Sequence, residues 1–189
     1  MITVQNFVDG NFVCVEETIE DVNPATGEII ANIPRSNKND VEEAVHAAET
    51  ASNYWSNLSL EERRSWLEKI ANALESRSED IAKLESLDTG KPIKLARAVD
   101  AVRSVANFRF FAEFSKNYTE EKFEMDDATN HVIFKPIGIA GLITPWNLPL
   151  YLLSWKIAPA IVMGNTVVAK PSELTPLTAN LLAEVIHEV

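Results

Sequence analysis

Two short stretches bring together side chains of complementary chemistry. Thr144-Pro145-Trp146-Asn147 ends on an amide, and Lys170-Pro171-Ser172-Glu173 holds an ammonium and a carboxylate. The NH₂ of an asparagine can donate to an oxygen that gains negative charge, which is the task of an oxyanion hole. A lysine and a glutamate set this close can grip the neighbouring hydroxyls of a ribose, one donating and the other accepting. Taken singly, each has a plainer reading: an Asn in a turn after Trp, and a charged pair at the start of a helix. Their chemistry therefore depends on what brings them to one place.

The elements between them predict such a place. Ile139, Leu142 and Ile143 form a short apolar run flanked by Gly138 and closed by Pro145, the pattern of a strand covered on both faces. From Leu150 to Met163 apolar residues recur at helical spacing, and Gly164 offers a left-handed stop. Thr166 to Ala169 is a second buried, β-branched run. Strand, helix and strand at this length predict a βαβ unit with parallel strands and a right-handed crossover. Ligands of open parallel sheets sit beyond the carboxyl ends of the strands, where Asn147, Lys170 and Glu173 would emerge together.

The motifs carry a resemblance. Thr144-Pro145-Trp146-Asn147-Leu148-Pro149-Leu150, then Gly164 to Glu173, then Thr175-Pro176-Leu177-Thr178 resemble the NAD(P)-dependent aldehyde dehydrogenase superfamily. Asn23-Pro24-Ala25-Thr26-Gly27-Glu28 and Leu87-Asp88-Thr89-Gly90-Lys91-Pro92 match it upstream, in the family's order. The latter piece, Leu95-Ala96-Arg97 and the run Asn107-Phe108-Arg109-Phe110-Phe111 look most like the branch oxidising muconic semialdehydes. The resemblance implies an α/β fold: the N-terminal portion of the aldehyde dehydrogenase fold, with an incomplete parallel Rossmann-like sheet preceded by a β-hairpin and helices. It implies oxidation of an aldehyde to the acid, with Asn147 as the catalytic oxyanion donor. Ile143, Thr144, Pro145, Trp146, Lys170, Ser172 and Glu173 would be the cofactor-binding residues. A carboxylate beside the ribose 2′-oxygen repels the 2′-phosphate of NADP and accepts from the hydroxyl of NAD, so NAD is the implied cofactor.

Bulk properties narrow the alternatives. A chain of 189 residues with 46% hydrophobic composition is long enough for a proper core. No apolar run approaches the about 18 residues that span a bilayer. The first residues, MITVQNFVDG, have neither the basic nor the apolar region of a secretory signal, which points to the cytoplasm. A net charge of −11 argues against nucleic acid. The single cysteine, Cys14, lies in an alternating stretch without a basic neighbour and reads as a buried apolar thiol. His46, His131 and His187 are scattered, so no metal site is expected.

In chain order, Asn6 to Val13 alternate about Asp9-Gly10, a hairpin signal. Glu28 to Ile33 read as a strand, and Asp40 as the cap of a helix burying Val41, Ala44, Val45, Ala48 and Ala51. Ser59-Leu60-Glu61-Glu62 has capping-box spacing before a helix with Trp66, Ile70 and Leu74 inward. A third helix covers Ser78 to Leu87. A long one runs from Ile93 to about Tyr118, with Leu95, Val99, Val102, Ala106 and Phe110 on its inner face and its aromatics packed in the core. Thr119 to Asn130 read as charged and turn-like, with a strand over His131 to Phe134.

These elements divide into 1–117, a hairpin and helical part of the cofactor-binding domain; 118–137, a β segment of the kind that pairs subunits in the family; and 138–189, the first βαβα of the sheet. Thr175 would cap the last helix, with Pro176 at its first position. There is no G-x-G-x-x-G fingerprint. In the family the cysteine nucleophile, the glutamate base and most phosphate contacts lie beyond the counterpart of Val189. The expectation is an N-terminal fragment, inactive and poorly soluble alone, of an enzyme that is a homo-dimer or homo-tetramer. The alternative is a short non-catalytic relative that associates with full-length subunits.

Overall fold

A computed structural model describes residues 1–189. Five short strands open the chain: β1 Ile2–Thr3, β2 Asn6–Val8, β3 Asn11–Val13, β4 Thr18–Val22 and β5 Ile29–Pro34. β2 and β3 form the predicted hairpin, Val8 opposite Asn11. Its turn places Asp9 at φ 51° and Gly10 at φ 72°, the left-handed pair that suits a two-residue hairpin loop. β4 pairs antiparallel with β5, and β1 adds to the far side of β5 in parallel. Neither β1 nor β4 has the apolar alternation that would reveal a strand in sequence. Cys14 is exposed rather than buried; its Sγ accepts from Gln5 Nε2 at 2.9 Å.

Three helices follow, each with its ends set locally. α1 spans Lys38–Asn57 and α2 spans Leu60–Ser76, both begun by complete capping boxes. In α1 the cap is Asn37, and Asp40 is the reciprocal partner one turn in. Of the stripe expected on α1 only Ala48 is buried; Val41 and Val45 face outward, because α1 rests on the sheet through few residues. In α2 the buried stripe is Leu67, Ile70, Ala71 and Leu74. Trp66 lies beside it, half-buried, with the Lys69 ammonium 3.9 Å from its ring centroid. α3, Ser78–Thr89, stops at Gly90 in the left-handed region.

From Ile93 the chain is helical to Asn117, through α4 (Ile93–Leu95), a π-helical segment (Ala96–Ala101), α5 (Val102–Phe114) and a final 3₁₀ turn. The π segment shifts the phase of the helix. The face that turns inward is Ala96, Ala101, Ser104, Val105, Phe108 and Ala112, whereas Leu95, Val102, Phe110 and Phe114 are exposed. α5 lies between α2 and α6, and the face turned to both carries Phe108 and Val105 beside Ala101, Ser104 and Ala112. Two strands, β6 (Glu121–Glu124) and β7 (Thr129–Val132), then make an exposed hairpin where a turn-like region and one later strand were expected. β8 (Ile139–Ile143), α6 (Pro149–Val162), β9 (Thr166–Lys170) and α7 (Leu177–Glu188) complete the chain.

β8 and β9 are parallel, and both α1 and α6 pack on them. The hydrophobic core joins α2, α3, α5, α6 and α7, with Phe108, Leu74, Ile81, Leu150 and Leu181 almost wholly enclosed. Two arginines of α2 close helix ends: Arg63 Nε donates to the Val162 carbonyl at 2.8 Å, and Arg64 Nε to that of Ala112 at 2.6 Å. A cation at a helix C-terminus satisfies free carbonyls and opposes the dipole. His187 meets the rings of Phe7 and Phe12 edge-on, fastening the hairpin to α7.

Beneath the sheet end lies a buried polar network. Glu85, fully enclosed on α3, accepts through Oε1 from the Leu150 backbone N–H at 3.0 Å and the Thr178 hydroxyl at 2.9 Å. Its Oε2 is 3.5 Å from Lys91 Nζ, which also reaches Asp100 at 2.9 Å. One turn on, Asp88 Oδ2 accepts from the Leu177 N–H at 2.9 Å. Its other oxygen, like Oδ2 of the neighbouring Asp21, has no hydrogen-bond partner. Burial pushes the carboxyl of Glu85 up, and that of Asp88 up to about 8, with the Asp21 carboxyl adding to the latter. Asp21 is raised as well, again chiefly by burial.

Candidate active site

The ends of β8 and β9 are set by register. Partners run from Ile139–Thr166 to Ile143–Lys170, and the Thr144 N–H extends the ladder to the Lys170 carbonyl at 3.2 Å. Neighbouring strands lie about 4.8 Å apart, so the two loops leave the sheet side by side. A cross-link ties them: the Thr175 hydroxyl donates to the Trp146 carbonyl at 3.3 Å. Thr175 thus joins the two loops instead of capping α7, where Pro176 holds the cap position and no side chain caps the helix.

On this rim Asn147, Lys170 and Glu173 are all exposed. Lys170 Nζ and Glu173 Oε2 are 2.5 Å apart. The Lys170 ammonium holds the Glu173 carboxyl below the usual carboxylate range, so it stays ionised at neutral pH. Pro145 is exposed, and Ile143 and Trp146 turn 71% and 58% of their surface outward, unusual for residues of their size. Thr144 and Ser172 turn inward. Ser172 Oγ accepts from the Leu174 N–H at 3.2 Å and shapes its own turn, while the Thr144 hydroxyl is buried without a partner. The rim therefore unites Asn147, Ile143, Pro145, Trp146, Lys170 and Glu173, and withholds the side chains of Ser172 and Thr144.

One residue of this rim escaped the sequence reading. Lys156 of α6 donates its ammonium to the Ile143 carbonyl, adding positive charge where β8 ends. The signal was available: Lys156 is the lone charged side chain of an otherwise apolar helix.

An ammonium and a carboxylate on one rim can donate to and accept from vicinal hydroxyls, and the exposed apolar side chains beside them can pack on a flat ring. Asn147 stands on the adjoining loop with its amide open to solvent.

The sequence profile of the aldehyde dehydrogenase family matches residues 12–189. The chain belongs to the aldehyde dehydrogenase family. Human 2-aminomuconic semialdehyde dehydrogenase is 47% identical over 190 aligned residues, covering 100% of this chain and 39% of that protein. The 2-hydroxymuconic semialdehyde dehydrogenase of Pseudomonas sp. strain CF600 is 43% identical, with 99% and 40% covered. These belong to the branch that Leu87 to Pro92 and the aromatic run resemble. Among solved structures, HpcC from Thermus thermophilus superposes with a TM-score of 0.95 at 37% identity, covering 99% of this chain and 37% of that one. PnpE, a Pseudomonas sp. WBC-3 protein crystallised in complex with nicotinamide adenine dinucleotide, gives 0.95 at 40% identity, covering 99% and 39%. The chain spans about two fifths of the length of these relatives. Its α/β architecture is the N-terminal part of their fold.

Proposed function

We propose that this chain forms the oxyanion-binding and adenosine-ribose-binding rim of an NAD-dependent dehydrogenase that oxidises a muconic semialdehyde to the carboxylic acid. The observation that supports the reading is the in-register pairing of β8 with β9, beyond whose ends the chain carries Asn147 on one loop and the Lys170–Glu173 pair on the other. Asn147 donates its amide N–H to the aldehyde oxygen as the carbonyl carbon is attacked and the oxygen becomes anionic. A preformed donor is worth most there because charge develops on that oxygen only on the way to the transition state. On this reading the nucleophilic cysteine and the glutamate base that act with Asn147 come from the part of the family fold that this chain, matching about two fifths of its relatives, does not cover. Lys170 donates to, and Glu173 accepts from, the ribose hydroxyls of the cofactor. A nicotinamide group, when bound, supplies the acceptor for the hydride.

The position of this segment in the assembly follows the same reading. Residues 1–117 and 138–189 form the cofactor-binding part, and residues 118–137 pair with a second subunit in a homo-dimer or homo-tetramer. Every residue of β6 and β7 is exposed, Phe123 and Val132 included, which supports an edge awaiting a partner strand. No helix is long and apolar enough to cross a membrane; the proposed compartment is the cytoplasm.

Asn147→Ala in the complete enzyme tests the assignment. Losing one such donor removes about 2.7–4 kcal/mol of transition-state stabilisation, so turnover should fall about a hundredfold or more. NAD affinity should hardly change. An unaltered turnover number would take Asn147 out of the chemistry.

A further inference from the structure

We infer that Glu85 is a positioning residue for the Asn147 amide, and that α3 acts as a common clamp on both loops of the rim. The inference rests on the function proposed above, but its structural half stands on contacts within the chain. α6 begins without a side-chain cap: Leu148 occupies the cap position and Pro149, the first helical residue, has no N–H to offer. The first amide of α6 is that of Leu150, and it is enclosed. Its acceptor comes from elsewhere in the chain, Glu85 Oε1 at 3.0 Å. Asn147 lies three residues before this tied point, on a loop whose other end is the β8–β9 ladder. Glu85 thus fixes the downstream end of the segment that carries the oxyanion donor.

α7 repeats the arrangement. It too lacks a side-chain cap, and its Leu177 N–H is taken by Asp88 Oδ2 at 2.9 Å, one turn beyond Glu85 on the same face of α3. The Thr178 hydroxyl of α7 donates to the very oxygen of Glu85 that holds Leu150. Two loops, one bearing Asn147 and the other Lys170 and Glu173, are therefore anchored to adjacent carboxylates of one helix. Their spacing becomes a property of α3 rather than of either loop. Lys91, held by Asp100, faces the remaining oxygen of Glu85 and fixes the orientation of the carboxylate. A displacement of about 1 Å at a reacting group can cost a hundredfold in rate, so this clamp bears on turnover without touching substrate.

The test compares Glu85→Ala, Glu85→Gln and Leu74→Ala in the complete enzyme, by steady-state kinetics with NAD and aldehyde and by hydrogen exchange of residues 144–152. Leu74→Ala opens the same core away from the rim and controls for general loss of stability. Glu85→Ala should speed exchange of the 144–152 backbone by about tenfold, the scale of one lost buried hydrogen bond. It should also lower kcat by about tenfold or more with the KM for NAD nearly unchanged. Glu85→Gln keeps the acceptor for Leu150 and should recover most of both losses. Unchanged exchange in Glu85→Ala, equal damage by Glu85→Gln, or a local exchange change matched by Leu74→Ala would each overturn the inference. So would an unaltered kcat in Glu85→Ala when Asn147→Ala slows the same enzyme. If Asn147→Ala itself has no effect, the proposed function fails, and exchange still decides whether Glu85 holds the loop.

Discussion

At the scale of residues, the chemistry rests on which side chains remain free. Lys170 and Glu173 are exposed and paired, and the pairing keeps the glutamate ionised. A fixed negative charge at a ribose clamp discriminates by repulsion as much as by attraction. Glu173→Ser in the complete enzyme should raise the ratio of kcat/KM for NADP over NAD on the order of tenfold. Paired kinetics with the two cofactors measure it, and an unmoved ratio would refute the repulsion. The residue types of this rim were legible in the sequence because Asn147, Lys170 and Glu173 follow two strand-like runs within motifs that resemble one family. Side-chain direction was not. Ser172 belongs to the same motif as Glu173 yet faces inward, and Cys14 sits in an alternating stretch yet faces out. Ser172 is turned in by its own turn, where its hydroxyl takes the Leu174 N–H, and Cys14 lies just past Val13, the last paired residue of the β2–β3 hairpin.

At the scale of elements, legibility follows locality. The capping box of α2, the Gly90 stop and the β2–β3 turn are settled by a few neighbouring residues and appear as expected; in α1 the cap is Asn37, and Asp40, expected as the cap, is instead its reciprocal partner one turn in. The face of the long helical segment depends instead on partners distant in sequence. An apolar stripe at Leu95, Val102 and Phe110 stays exposed while Ala101, Ser104, Val105 and Phe108 go inside. Periodicity alone cannot choose between two faces when a π-helical turn resets the phase. The α6–β9 junction shows a local signal and a distant constraint acting together. Gly164 has φ 89°, and a Cβ there would meet Pro136 Cγ at 2.7 Å and Arg63 Nη1 at 3.3 Å. Gly164→Ala should therefore cost on the order of 1–3 kcal/mol, read as a lowered denaturation midpoint. A midpoint equal to that of the parent chain would mean the junction is not strained.

At the scale of the whole molecule, the sheet edge is held from below by Glu85 and Asp88, of which the sequence motifs displayed only Asp88. Asp88 and Asp21 lie together out of water, each with an oxygen lacking a hydrogen-bond partner. The folded chain binds a proton at Asp88 more tightly than the unfolded chain, with a pKa of about 8 against 3.8. The contribution of Asp88 to stability is then greatest at low pH, declines as pH rises through this interval and levels above it. Asp88→Asn keeps an acceptor for the Leu177 N–H and should flatten that slope in thermal melts between about pH 5 and 8. A slope as steep as the parent's would assign the pH dependence elsewhere. On the proposed reading these carboxylates, the tied loops and the paired strand ends serve one outcome, a sheet edge that carries both the oxyanion donor and the ribose-binding pair. The most direct measurement is a crystal structure of the complete enzyme with NAD bound. The account requires both ribose hydroxyls within hydrogen-bonding distance of Lys170 Nζ and the Glu173 carboxylate, with the Asn147 amide opening into the cavity that holds the nicotinamide. A cofactor seated away from the β8 and β9 ends, or an Asn147 amide turned from that cavity, would contradict it.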